Sequence, residues 1–372
     1  MLKIPFVNYS LQYKNLETEI DAAMKSVLNR GDLIMRSDME EFEKKMAEFL
    51  GVRHFISLNS GTDALIFALK AAGIGAGDEV ITVSHTFVAS IASIAHCGAK
   101  PVLVDVKEDF TMDMEKAEAA ITSRTKAILP VHLNGRMCDM ERLMEIANKH
   151  NLIIIEDAAQ ALGAKFNNKM AGTFGLAGCY SFYPAKILGT FGDGGGLATN
   201  DEKIAEKIKL FRDHGQKTKT EILCFGWTSR LDNLQAAVLN VKIKHLNEWL
   251  ERRREIAEIY NKNLSGVTGI KLPPGPDSDK KHFDVFQNYV LRAEKRDNLF
   301  TFLKEKGVET LIKDPIAVHH HTGLGLSEFH LPFSEELAKK VISLPLYPEL
   351  TDEQIEYVIG SVKDFYQNGK NI

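Results

Sequence analysis

Between about residues 50 and 200 the spacing of apolar positions alternates between two periods. The runs at 54–58, 79–83, 101–106, 127–132 and 152–156 are short, apolar and β-rich, and read as strands. The stretches at 64–72, 88–96, 114–121 and 138–150 carry helical spacing. Strands separated by helical crossovers predict an α/β fold with a mostly parallel sheet sandwiched by helices. In such a sheet the ligand sits beyond the carboxyl ends of the strands. Polar clusters follow that rule: Asn59-Ser60-Gly61-Thr62, His85-Thr86-Phe87, His132-Leu133-Asn134-Gly135 and Asp157-Ala158-Ala159-Gln160 each come directly after a strand. Several strand ends should therefore converge on one site. Residues 15–50 predict helices broken at Arg30-Gly31-Asp32, and 234–259 predict one long helix able to bridge two domains. Prolines and a glycine at 272–277 mark a linker, followed by a smaller α+β unit. The expected division is a large domain over 1–250, N-terminal helices included, and a small C-terminal domain over 251–372.

Two residues carry the candidate chemistry. Lys186 follows Ser181-Phe182-Tyr183-Pro184-Ala185, between a strand-like run and a glycine cluster. A lysine held there condenses with an aldehyde once burial lowers its pKa. Upstream, Leu152-Ile153-Ile154-Ile155-Glu156-Asp157 ends a buried strand in a carboxylate. A buried aspartate stays ionised only beside a cation or strong donors, and a pyridinium nitrogen is such a cation. Together they are the groups expected around pyridoxal phosphate (PLP).

The other motifs are weaker alone. Ser60-Gly61-Thr62-Asp63 opens a helix whose free amides suit a phosphate, although a plain N-cap looks the same. Gly192-Asp193-Gly194-Gly195-Gly196 lacks the ending of a P-loop and precedes a strand, so close backbone packing explains it better than a nucleotide. Phe87 at a strand end is either core or a ring that stacks on a flat cofactor. Arg230, ahead of the long helix, is either a solvated end or a phosphate contact. His319-His320-His321 share no face and have no carboxylate at ligand spacing, so no metal is expected and at most one or two of them line a cleft.

Composition removes other classes. The 372 residues are 44% apolar and 26% charged, with a net charge of −4, which gives no support to nucleic-acid binding. No apolar run approaches the roughly 18 residues of a membrane span. The start, Met1-Leu2-Lys3-Ile4-Pro5-Phe6, lacks the apolar core of a leader peptide. Cys97, Cys138, Cys179 and Cys224 are scattered and read as reduced thiols. A cytoplasmic protein is expected.

In order and spacing, with 29 residues from Asp157 to Lys186, these segments resemble the DegT–StrS group of PLP-dependent nucleotide-sugar aminotransferases, which have the fold-type I architecture. The resemblance runs from near Ile4-Pro5-Phe6-Val7 to Ser343-Leu344-Pro345-Leu346-Tyr347-Pro348. It implies that Lys186 binds the cofactor aldehyde and later moves a proton, and that Asp157 pairs with the ring nitrogen. It sets Gln160 and Phe87 against the ring, Gly61, Thr62 and Ser181 around the phosphate, and Tyr183, Arg230 and His319 on the substrate side. Residues 226–230 look like the part that reaches into the partner's site of a homodimer. The family pattern there is Gly-x-Asn-x-Arg, with the Asn on the cofactor phosphate, and this chain has Thr228 instead. Lysine at 186 favours transamination, since sugar dehydrases of this kind carry histidine. The implied reaction moves an amino group from L-glutamate to a nucleotide-linked keto sugar by a ping-pong mechanism. The wording around Lys186 and Gly192-Asp193-Gly194-Gly195 leans to 3-keto sugars. A 4-keto sugar and a catalytically silent PLP-binding regulator are the alternatives.

Overall fold

A computed structural model describes residues 4–368. Residues 1–3, part of the start read for a leader peptide, lie outside the described residues. Two helices come first, α1 (Tyr9–Arg30) and α2 (Ser37–Leu50), separated where Gly31 takes a left-handed φ of 69° and caps α1. The chain then alternates β1 (His54–Leu58), α3 (Gly61–Ala71), β2 (Glu79–Val83), α4 (Ala89–His96), β3 (Lys100–Val104), α5 (Met114–Ala119), β4 (Thr125–Ile128), α6 (Met140–His150) and β5 (Ile153–Asp157). A small hairpin follows, β6 (Lys165–Phe166) with β7 (Lys169–Met170), and then β8 (Ala177–Ser181), β9 (Gly195–Thr199) and α7 (Glu202–Arg212).

Seven of these strands form one sheet in the order β1-β9-β8-β5-β4-β2-β3. All its pairings are parallel except those of β9, which runs antiparallel to β1 and β8. The expected strand 127–132 loses its regular ladder after Ile128, because Pro130 has no N–H to give. Val131 keeps a single bridge to Asp157, which holds the two strand ends together.

After a short hairpin, β10 (Gln216–Thr218) and β11 (Glu221–Ile222), the expected long helix is interrupted. It divides into α8 (Asn233–Lys242), a 3-10 turn (Ile243–His245) and α9 (Leu246–Leu264). The two halves serve different surroundings. α8 packs on α1 and α2. Leu246, Trp249 and Leu250 of α9 join the main core, while Ile256, Ala257, Tyr260 and Leu264 join a second one. That second core lies on a sheet of β12 (Ile270–Lys271), β14 (Tyr289–Ala293) and β15 (Val341–Leu344). The proline-rich stretch 272–277 leaves β12 for β13 (His282–Phe283), which pairs with β6, before the chain returns in β14. Ile4 also belongs to the second core and bridges Val308. The remaining helices are α10 (Arg296–Glu305), α11 (Pro332–Lys340) and α12 (Asp352–Asn368). Among the described residues no helix is long and apolar enough to cross a membrane.

Candidate active site

A cavity of about 540 Å³ opens where β2, β5 and β8 end, the size of a small-molecule site. Lys186 lines it. The lysine sits in the loop after β8, whose ends are drawn together by Phe182 N–H to Gly194 O at 2.8 Å. Gln287 fixes the loop from the other side: its Oε1 accepts Ile187 N–H at 2.9 Å and its Nε2 donates to Ala185 O at 2.7 Å. The peptide groups flanking Lys186 are thereby held while its side chain is left for the cavity. Burial, and next the positive charge of Lys313, lower the Lys186 pKa to about 8, with Asp157 pulling the other way.

Alternation along β5 separates its two acids. Glu156 is fully buried on one face and accepts from Gly172, Phe174 and Gly175 N–H, with His132 Nε2 at 3.0 Å. Its acceptor sites are filled by protein. Asp157, on the other face, lines the cavity. Its Oδ2 accepts Ser90 O–H at 2.7 Å and its Oδ1 accepts Ala159 N–H at 3.2 Å. Asp157 is 6% exposed, yet among the described residues it has no salt-bridge partner. A buried carboxylate in that position calls for a cation from a ligand.

Residues 14–363 match the DegT/DnrJ/EryC1/StrS aminotransferase family. The chain belongs to this family. It is 43% identical to a pleiotropic regulatory protein of Geobacillus stearothermophilus, over 99% of this chain and 100% of that one. It is 41% identical to dTDP-3-amino-3,4,6-trideoxy-alpha-D-glucose transaminase of Streptomyces venezuelae, covering 98% and 96%. The crystal structure of S. venezuelae DesV in complex with a ketimine intermediate superposes with a TM-score of 0.95 at 40% identity, covering 99% of both chains.

As a member of this aminotransferase family the chain is a PLP enzyme, and the cavity fits that cofactor. Asp157 offers the unpaired anion for a protonated ring nitrogen. Ser60 caps α3 by accepting Asp63 N–H at 3.0 Å, while among the described residues the amides of Gly61 and Thr62 donate to no protein acceptor. With Ser181 beside them in the lining, they suit a phosphate. The glycine cluster makes this corner possible, since a Cβ on Gly195 would lie 2.2 Å from the Ser60 carbonyl carbon. Close packing accounts for Gly196 as well, since a Cβ there would lie 2.4 Å from Phe55 Cζ. Phe87 and Tyr183 each stay 53% exposed, so each ring has a face free for a ligand. Gln160 also lines the cavity, its Oε1 taken by Asn134 N–H at 2.9 Å.

Three expected site residues lie elsewhere. Thr228 Oγ1 is 2.9 Å from His214 Nε2, and Arg230 donates to Asp213 at 2.8 Å, both away from this chain's cavity. His319 corrects the expectation of a cleft residue: it is fully buried, with Nδ1 2.6 Å from Ser84 Oγ, and does not line the cavity. No carboxylate stands at ligand spacing from the histidines along the chain, but folding brings Glu335 to them. The sequence reading missed Lys313, Gln287, Asn288 and Arg253, which all line the cavity from beyond residue 250. Lys313 Nζ lies 5.7 Å from the Phe87 ring centre, and fully buried Arg253 ties carbonyls of Phe286 and Leu346 together. No local pattern marks these four.

Proposed function

We propose that this chain transfers an amino group from L-glutamate to a 3-keto sugar carried on a nucleoside diphosphate, as a cytoplasmic homodimer. The observation that carries the reading is one cavity holding a lysine of lowered pKa, an ion-pair-free buried aspartate and the open N-terminus of α3. When bound, PLP supplies an aldehyde that exchanges amines and a ring that draws electrons from the carbon beside the nitrogen. Lys186, as neutral amine, would take the proton from the glutamate α-carbon and, as the ammonium so formed, give it to the cofactor C4′; in the second half-reaction it would carry a proton back from C4′ to sugar C3. Asp157 keeps the ring nitrogen positive. Phe87 and Gln160 orient the ring, and Gly61, Thr62 and Ser181 hold the phosphate. Tyr183 and Lys313, near the cavity's other residues, are left for substrate.

The Streptomyces relative's name supports a 3-amino product, and so does the sequence around Lys186; a 4-keto sugar has less behind it. Exposed apolar residues beside Thr228 and Arg230 support the dimer: Phe225 is 98% exposed and Ile222 69%. Four unpaired cysteines are in keeping with a reducing compartment. The Geobacillus relative's name favours a second reading, a regulator that binds PLP without turnover. The complete set of Lys186, Asp157 and Gln160 in one cavity weighs against it.

Borohydride reduction of the PLP-loaded protein, followed by peptide mapping, should label Lys186, and Lys186→Ala should take no label. L-Glutamate should bleach the visible absorbance of the wild type. Then UDP- and dTDP-linked 3-keto and 4-keto sugars are offered, with NMR of the product. Label on another residue defeats the assignment of Lys186, while bleaching by no amino acid favours the regulator.

A further inference from the structure

One polar cluster takes no part in the cavity. His319 and His320 sit in a 3-10 turn (Val318–His320), and Glu335 lies in the first turn of α11. His319 Nε2 is 3.4 Å from Glu335 Oε1 and His320 Nε2 is 3.7 Å from the same oxygen. From the rim, His330 Nδ1 comes within 3.3 Å of it. The candidate donor atoms of His319, His320 and Glu335 all lie within 4.8 Å of one another. Donors bound to a tetrahedral ion at about 2.0–2.2 Å are themselves about 3.3–3.6 Å apart, and the separations of 3.4 and 3.7 Å from Glu335 Oε1 to the two imidazoles lie close to that. Simple ion pairing accounts for it less well, because one carboxylate oxygen has no need of three imidazoles.

The surroundings are arranged as for metal ligands. His319 is fully buried and its Nδ1 lies 2.6 Å from the buried Ser84 hydroxyl. When an ion takes the lone pair of Nε2 on the Glu335 side, Nδ1–H is left to donate to Ser84, which is the tautomer and outer hydrogen bond of a metal-bound imidazole. Glu335 is itself fixed by Leu331 N–H, 3.0 Å from the oxygen the histidines share. Two imidazoles and a carboxylate, with a third imidazole at the rim, suit zinc-class ions and not calcium or magnesium.

We propose that His319, His320 and Glu335, with His330 at the rim, bind one divalent transition-metal ion of the zinc class. The ion would fasten the segment 318–335 to the end of β2 through Ser84, where Val318, Leu326 and Leu331 already pack on Ile91 and Leu103. Because Ser84 directly precedes the His85-Thr86-Phe87 stretch, the fastening also steadies one wall of the cavity.

The test uses tag-free, PLP-loaded, full-length protein dialysed against a chelator and titrated with zinc chloride, read by calorimetry and by metal content after desalting. Uptake of one ion per chain is expected, with affinity lowered at least about tenfold in His320→Ala and in Glu335→Gln. Zinc should also raise the melting temperature of the wild type more than that of Glu335→Gln. His320 is 47% exposed, so its truncation keeps the test valid even if Glu335→Gln folds poorly. No uptake by the wild type overturns the site, and so does uptake that is equally tight in both variants.

Discussion

Lys186 and Lys313 line one cavity, and burial first, then the charge of Lys313, lowers the pH at which Lys186 becomes a neutral amine. As the pH falls below about 8 the protonated amine, which does not condense, comes to predominate; above it the neutral form does. Removing the charge of Lys313 makes the ammonium of Lys186 easier to keep, so its pKa should rise. PLP capture by the apoprotein, followed by visible absorbance over a pH series, should therefore show a midpoint at higher pH in Lys313→Gln than in the wild type. An unchanged or lower midpoint would mean that Lys313 exerts no field at Lys186. Free PLP titrates identically in both mixtures, so the difference reports the protein.

At the scale of elements, the phosphate corner depends on β9 lying against the start of α3. A Cβ on Gly195 would sit 2.2 Å from the carbonyl carbon of Ser60 and 2.4 Å from the nitrogen of Gly61. Backbone cannot step aside as a flexible side chain can, so Gly195→Ala should cost about 2–3 kcal/mol in chemical denaturation. It should also weaken PLP binding, because the amides of Gly61 and Thr62 are displaced together. Gly75→Ala is the control: its Cβ would meet only Cys97 O at 3.7 Å, an ordinary contact, and both properties should stay near wild type. Equal stability of the two variants would remove the packing argument for the glycine cluster. Gly195 and Gly196, which the sequence reads as close-packing residues ahead of Leu197, open β9 and press on Ser60 and Phe55. The sequence misjudged the 234–259 helix, since an unbroken helical pattern does not reveal that its two halves face different cores.

At the scale of the molecule, Thr228 and Arg230 stand outside their own chain's cavity, on a segment with Ile222, Leu223 and Phe225 exposed. If they complete a partner's site, Lys186→Ala and Arg230→Ala chains should each be inactive alone and regain activity when mixed. Random pairing of equal amounts makes about half the dimers mixed, and each mixed dimer would carry one intact site, so roughly a quarter of wild-type activity should return. No recovery in a mixture shown to exchange subunits would mean that Arg230 acts within its own chain.

The chain alone determined the alternation of strand and helix, the residues at the strand ends and the order of Asp157 and Lys186, because each is a local matter of period, propensity and neighbouring residue type. Only the tertiary structure decided that Glu156 is consumed by backbone amides while Asp157 is left to the cavity, and that Gln287 grips the loop of Lys186 from 100 residues away. It likewise turned His319 toward Ser84 and brought Glu335 to the histidines. These contacts join residues far apart along the chain, and their energies depend on burial and distance, which a linear pattern does not carry.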